Sequence, residues 1–149
     1  MPRVFLSLGS NTNPEDNLRL GIRELTERYA PLDISPVYRN KAVGFDGDDF
    51  LNMVVGCNAQ TYIESIVEEI AKIHALAGRS GSERKFSSRT LDIDLLTYGQ
   101  VVTTVPPVKL PRRDVLEYSF VLKPLTDIAP ERCHPVTGRT YAEHWAEKR

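Results

Sequence analysis

The chain has 149 residues, of which 41% are hydrophobic and 26% are charged, and its formal net charge is −1. This length predicts a single domain over residues 1–149 with enough apolar material for a substantial core. The near-neutral charge excludes a global attraction to nucleic acid or anionic membrane, so function must depend on local clusters of charge.

The cysteines and the N-terminal residues indicate the cellular compartment in which the protein is expected. Cys57 and Cys133 share no motif, so they predict neither a disulfide framework nor a metal site. The N-terminus shows no basic segment followed by a long apolar run, and no stretch reaches the length of a membrane span. We therefore expect a soluble, cytoplasmic protein.

The first half of the chain alternates patterns that are typical of strands and helices. Apolar residues recur at helical spacing in two segments, with Asn13 or Thr12 and Thr61 as candidate N-caps. Pro36 favours an edge position or a bulge for the second strand. The predicted elements are a strand at 4–8, a turn at 9–11, a helix to about 29, a strand at 32–38, a loop at 39–49, a strand at 51–59 and a helix that ends at Gly78.

The second half begins with a basic loop and continues as a strand to Tyr98. Gly99 and Gln100 predict a turn into a short strand at 101–103, and therefore a small hairpin. The other predictions are an extended segment at 106–111, one or two helical turns at 114–118, a packed apolar segment at 120–125, turns at 128–130 and 134–138, and a helix from the cap Thr140 through Trp145. The order βαββαβ with a C-terminal extension predicts an α+β fold, a ferredoxin-like sandwich.

The most informative segment contains Asp92 and Asp94. A strand alternates faces with a period of two, so both carboxylates point one way while Ile93 and Leu95 point into the core. Two carboxylates this close repel each other unless a cation lies between them, and such hard oxygen ligands suit Mg²⁺. A flexible basic loop at 78–89 lies just upstream. Metal-bound carboxylates beside arginines are what a polyphosphate requires.

Short motifs follow one another along nearly the whole chain. They are Gly9-Ser-Asn11, Ser35-Pro-Val-Tyr38, Phe50-Leu-Asn52, Gly78-Arg79, Arg89-Thr-Leu-Asp-Ile-Asp94, Leu110-Pro111 and Phe120. Singly each is weak, but the Arg-x-x-Asp-x-Asp element is specific. The ordered set resembles the 6-hydroxymethyl-7,8-dihydropterin pyrophosphokinase family.

The resemblance implies a reaction of folate biosynthesis, in which the β,γ-pyrophosphoryl group of MgATP moves to the hydroxymethyl oxygen of a reduced pterin and AMP is released. It implies that Asp92 and Asp94 hold two Mg²⁺ ions, and that Arg79 and Arg89 bind phosphate oxygens and stabilise the leaving charge. The turn at 9–11 lacks the pattern of a phosphate loop and is expected to shape the floor of the pterin pocket. Further residues implied for ATP binding are His74, Lys85, Lys109 and Arg112.

The resemblance also implies a pterin pocket. Phe50 and Phe120 match the family's two sandwiching aromatics, Asn52 matches its in-plane amide, and loop backbone near Asn40 and Val43 completes the polar edge. Phe50 and Asn52 lie two apart on one predicted strand, which independently places both side chains on one face. By default both phenylalanines are core residues, whereas a buried amide needs polar partners.

Departures from the family pattern fall in the nucleotide half. Gly81 stands where most members have a second arginine, His74 replaces a glutamate, Arg112 replaces a histidine and Tyr118 replaces an arginine. These departures support an alternative, a divergent pterin-binding paralogue with altered or lost use of nucleotide.

Plainer interpretations stay open beside these. Asp92 and Asp94 could form the solvated face of an edge strand, and His74 could be a helix-surface histidine. An RNA-binding module on a ferredoxin-like sheet is a rival of another class, but it requires exposed aromatics, and the first strand offers only Phe5. We expect the partners to be ATP and a reduced pterin, with no nucleic acid and no membrane, and we expect a monomer.

Overall fold

The computed structural model describes residues 2–41, 47–78 and 91–149. Its described elements, in chain order, are β1 (Arg3–Ser10), α1 (Pro14–Tyr29), β2 (Asp33–Ile34), β3 (Tyr38–Asn40), β4 (Phe50–Asn58), α2 (Ile63–Leu76), β5 (Asp92–Tyr98), α3 (Asp114–Glu117), α4 (Ser119–Ile128) and α5 (Tyr141–Lys148). The strands form one antiparallel sheet in the order β2-β4-β1-β5, with β3 also paired to β4. This is the predicted ferredoxin-like arrangement, in which β2 and β3 together take the place of the second strand.

One face of the sheet is covered by α1 and α2. Because side chains alternate along a strand, the even residues of β1 and the odd residues of β4 point to this face, as do Ile93 and Leu95 of β5 before its register shift. The buried cluster between sheet and helices includes Leu6, Leu8, Leu25, Met53, Val55, Ile66, Ile73, Ile93 and Leu95. Its apolar area supplies most of the driving force that holds β1 at the centre of the sheet.

Among the described residues, helices cover the opposite face at one end only. Residues 99–149, the C-terminal extension, contribute α3, α4 and α5, which pack on Phe5, Val54 and Leu96 of the three long strands. The other end of the same face carries polar residues and a glycine instead. Within the described ranges, the extension therefore divides this face into a buried apolar half and a polar half that carries no helix.

Two predicted elements differ from the structure, and a third is confirmed. The strand at 32–38 is split into β2 and β3 on either side of Pro36, which cannot donate a ladder hydrogen bond. The hairpin at 101–103 is wrong, because Thr103 instead forms an isolated bridge with Leu110, with both N–H···O distances at 2.9 Å. The apolar segment at 120–125 does pack inside, but as part of α4, which tolerates Pro124 in its interior.

The predicted helix starts are confirmed in part. Asn13 is the N-cap residue of α1, with φ 44° and no side-chain capping bond. Tyr62, and not Thr61, is the N-cap residue of α2. Thr140 caps α5 in a reciprocal capping box with Glu143, as its position before the apolar stripe predicts. Over the described ranges, the helices are too short or too polar to cross a membrane.

Candidate active site

The polar half of the sheet is organised as a row across its three long strands. In the register of the sheet, Gly9 of β1 lies opposite Asn52 of β4 on one side and opposite Asp92 of β5 on the other. Directly opposed residues of antiparallel strands share a face, and neighbouring strands lie about 4.8 Å apart. The backbones of Asn52 and Asp92 are therefore about 10 Å apart, with only a glycine between their side chains.

Gly9 makes room for the amide of Asn52. A Cβ atom at position 9 would lie 2.7 Å from Asn52 Oδ1, well inside van der Waals contact. The predicted turn at 9–11 is thus wrong in part, because Gly9 and Ser10 belong to β1. Within the strand, the lack of a side chain at Gly9 leaves room for the Asn52 amide.

The orientation of Asn52 is fixed by a second asparagine. Asn52 Nδ2 donates a hydrogen bond to Asn40 Oδ1, and β3 holds Asn40 beside β4. Asn40 Nδ2 in turn donates to the carbonyl of Lys41 at 3.1 Å. Asn52 is only 9% exposed, so its amide meets the expectation that a buried polar group has partners. The sequence predicted that loop backbone near Asn40 would complete the polar edge of the pocket. In the structure, the side chain of Asn40 contacts Asn52.

The acidic pair lies at the other end of the row. Asp92 and Asp94 share a face of β5, while Ile93 between them is buried in the helix-covered core. Burial and then repulsion by Asp92 raise the pKa of Asp94 to about 7. Both effects disfavour the charged form of the Asp94 carboxylate, and a bound cation would oppose them. Two carboxylate oxygen donors on one face of a strand fit a divalent cation such as Mg²⁺.

Arg112 is the basic residue that the structure brings to this pair. Its Nη2 lies 3.6 Å from Asp94 Oδ1, and its Nε lies 3.3 Å from Asp114 Oδ2. Burial lowers the pKa of Arg112, but Asp94 and Asp114 outweigh this effect and the net direction is upward. The backbone N–H of Arg112 donates to the carbonyl of Leu96 at 2.9 Å, which fixes the start of the extension to β5. A permanent cation thus stands at the edge of the acidic pair.

His74 contacts the acidic strand directly. Its Nε2 accepts a hydrogen bond from the backbone N–H of Ile93 at 2.9 Å, from a position near the C-terminal end of α2. The interpretation of His74 as a plain helix-surface histidine is therefore wrong. The contact falls on the one residue that separates Asp92 from Asp94.

The two candidate sandwiching aromatics are both half-buried, and Phe120 also packs against the apolar cluster beneath the extension. Phe50 begins β4, two residues before Asn52 and on the same face. Phe120 lies in the first turn of α4, and its ring stacks on Tyr118 with centroids 4.9 Å apart and planes 16° apart. The stacked partner was not predicted as part of the site.

Several predicted residues cannot be joined to the site. Val43, Arg79, Lys85 and Arg89 lie outside the described residues. Lys109 is exposed and forms no hydrogen bond or ion pair within the described ranges.

Asn11 is a further site residue that sequence reasoning did not single out. It is 4% exposed, and its Nδ2 donates to the carbonyl of Asp48 at 3.1 Å. The bond ties the end of β1 to the residues that lead into Phe50. Its place in the Gly9-Ser-Asn11 motif was the available signal.

A separate cavity of about 450 Å³ lies at the opposite end of β1. Its lining includes Arg3, Phe5, Asp33 and Arg132. Arg3 is already paired with Asp33, and none of the predicted site residues takes part. The cavity is therefore distinct from the row across the sheet.

The chain is similar to known proteins over most of its length. The family model described as 7,8-dihydro-6-hydroxymethylpterin-pyrophosphokinase matches residues 5–130. A 2-amino-4-hydroxy-6-hydroxymethyldihydropteridine pyrophosphokinase of Aquifex aeolicus is 32% identical over 96% of this chain and 90% of its own length. A protein of the same name from Methylorubrum extorquens is 34% identical over 99% of this chain and 94% of its own length.

The fold has a counterpart among solved structures. The wild-type HPPK-DHPS of Plasmodium falciparum, crystallised with pteroate, superposes with a TM-score of 0.74 at 13% identity. The match covers 98% of this chain and 42% of that longer one, so it supports the fold alone. The family model and the two relatives show that this chain belongs to the 7,8-dihydro-6-hydroxymethylpterin-pyrophosphokinase family.

Proposed function

We propose that this chain transfers the β,γ-pyrophosphoryl group of ATP to the hydroxymethyl group of 6-hydroxymethyl-7,8-dihydropterin and releases AMP, as a step of folate biosynthesis. Membership of the family supports the reaction. The observation that carries it within this molecule is the row Asn52, Gly9, Asp92. The row offers a heterocycle-binding amide at one end and a cation-binding carboxylate at the other.

The pterin is proposed to lie at the Asn52 end. A pterin presents donors and acceptors along its ring edge, and Asn52 is held by Asn40 at a fixed orientation to meet them. Phe50 and Phe120 are proposed to contact the two ring faces, because both are half-buried aromatics with part of the ring exposed. Val43 is proposed to complete the polar edge through its backbone.

The polyphosphate is proposed to lie at the acidic end, with two Mg²⁺ ions held by Asp92 and Asp94. The bound ions would supply Lewis-acid stabilisation of the charge on the phosphate oxygens. The position of both acids on one rigid strand supports this role, since it fixes the donors before any ligand arrives. Arg112, beside Asp94, is suited to hold a phosphate oxygen.

Basic residues are proposed to complete the nucleotide site. Arg79 and Arg89 are assigned to phosphate binding and to stabilisation of charge on the leaving oxygen. Lys85 and Lys109 are assigned to ATP. We also propose that residues 1–149 act as a single domain and as a monomer in the cytoplasm, without a nucleic-acid or membrane partner.

The test is to incubate the protein with MgATP and the pterin and to separate the nucleotides. AMP and a pyrophosphorylated pterin are expected. Asp94→Asn should lower kcat by at least ~100-fold, on the scale of one lost electrostatic stabiliser. Asp16→Asn, which removes an exposed acid on α1, should leave the rate unchanged. Formation of ADP alone would contradict the proposal, and pterin binding without consumption of ATP would favour a divergent paralogue.

A further inference from the structure

The contact between His74 and the acidic strand has a chemical consequence. His74 Nε2 accepts from the Ile93 N–H at 2.9 Å, so this ring nitrogen carries no proton. The neutral ring must then carry its proton on Nδ1. The hydrogen bond thus selects one tautomer of a neutral histidine.

The contact lies at a position where it can control the two carboxylates. In the described part of the sheet, β5 is the last strand in the order β2-β4-β1-β5, so only one of its sides has a strand neighbour. The Ile93 N–H points away from β1 and towards α2, where His74 receives it. Because Ile93 joins Asp92 to Asp94, movement of its backbone would change the separation and direction of both side chains.

We propose that His74 is a positioning residue for the acidic pair, acting through the Ile93 amide. The inference rests on the proposed function, in which Asp92 and Asp94 hold a divalent cation. A donor pair binds a cation well only if both oxygens are held at the required geometry, and groups behind metal ligands commonly supply that restraint. Here the restraint is a side chain from another element, attached to the backbone between the ligands.

The role requires a hydrogen-bond acceptor at the position of Nε2, so the test variants either keep or remove that acceptor. His74→Gln offers an amide oxygen at nearly the same distance from the backbone and should retain the bond. His74→Leu fills a similar volume and cannot accept. Leu76→Gln, at a 60% exposed position two residues further along α2, controls for a polar change in this helix.

Two measurements on the protein without substrate test the contact. Nitrogen-15 NMR of the His74 ring should report the Nδ1–H tautomer in the wild type. Amide exchange of Ile93 should be slow in the wild type, His74→Gln and Leu76→Gln, and faster in His74→Leu. An Nε2–H tautomer, or unchanged Ile93 exchange in His74→Leu, would overturn the proposal. The tautomer measurement stands even if His74→Leu does not fold.

A Mn²⁺ titration followed by electron paramagnetic resonance tests the link to cation binding. We expect His74→Leu to weaken Mn²⁺ binding by roughly 10-fold, the low end of the range for partners behind a metal ligand. His74→Gln and Leu76→Gln should stay within about 2-fold of the wild type, far below that range. Equal binding by His74→Leu and wild type, or a loss in His74→Gln equal to that in His74→Leu, would overturn the proposal. Mn²⁺ binding that follows this pattern in a protein that forms no AMP would sustain it while refuting the proposed reaction.

Discussion

Replacement of Gly9 by alanine should weaken pterin binding specifically. The added Cβ would lie 2.7 Å from Asn52 Oδ1, so the amide must rotate away. Rotation separates Asn52 from Asn40 and loses a hydrogen bond of about 1 kcal/mol. Overpacking of a close-packed site costs about 1–3 kcal/mol in addition. Together, the two effects should lower the free energy of unfolding by about 2–4 kcal/mol, because the Asn52 amide is buried and has little room to relax.

The effect on binding follows from the displaced amide. Loss of one directed interaction of about 1.4 kcal/mol corresponds to a tenfold weaker Kd. Calorimetry with 6-hydroxymethyl-7,8-dihydropterin, in the presence of Mg²⁺ and α,β-methylene-ATP, should therefore show roughly a 10-fold rise in Kd for Gly9→Ala. Binding of α,β-methylene-ATP alone should change little, because the three atoms nearest the added Cβ belong to Asn52 and Leu51 of β4 and not to the acidic strand.

A second glycine provides the matched control. A Cβ at Gly56, which lies on β4, would lie 2.7 Å from the Phe5 ring, in the apolar half of the same sheet face. Gly56→Ala should lower stability and leave the pterin Kd unchanged. In the double variant Gly9→Ala/Asn52→Ala the clash is gone, so part of the lost stability should return while pterin binding stays weak. Wild-type pterin affinity in Gly9→Ala would refute the reasoning.

Three further predictions concern other parts of the molecule. Burial lowers the pKa of His134, and its Nδ1 accepts backbone N–H bonds from Val136 and Thr137 at 3.2 Å. Because the unfolded chain binds the proton more tightly, the free energy of unfolding should fall as the pH drops below about 6.5. Urea unfolding at pH 5.5 and 7.5 should show a smaller pH-dependent loss of stability for His134→Asn than for the wild type. Thr140→Ala should lower the free energy of unfolding by about 1 kcal/mol in a thermal melt, because it removes the capping box with Glu143, and an unchanged melt would contradict this. Tyr118→Leu should weaken pterin binding by about 0.5–1.5 kcal/mol in calorimetry through loss of the ring that stacks on Phe120, whereas equal affinity would show that the stack plays no part.

Period-two alternation was enough to predict which side chains share a face. It placed Asp92 with Asp94 and Phe50 with Asn52, and the structure confirms both pairs as neighbours on continuous strands. Alternation is a local property of the backbone, so it can be read without knowing the rest of the fold.

Register between strands could not be predicted, and the main errors follow from this. Gly9 looked like a turn residue because glycine is common in turns, and only its pairing with Asn52 reveals the packing reason for it. The contact of His74 with Ile93 joins residues 19 apart through tertiary packing, which no local pattern reports. Thr103 paired with Leu110 for the same reason, since bridge partners depend on the path of the intervening chain.

The central claim is that one row across the sheet holds the heterocycle at Asn52 and the cation at Asp92 and Asp94. A crystal structure with the pterin, α,β-methylene-ATP and Mn²⁺, recorded at a wavelength where manganese scatters anomalously, tests it most directly. We predict an anomalous peak beside the two carboxylates and a pterin ring edge bonded to the Asn52 amide. An anomalous peak elsewhere, or a pterin bound away from Asn52, would contradict the account.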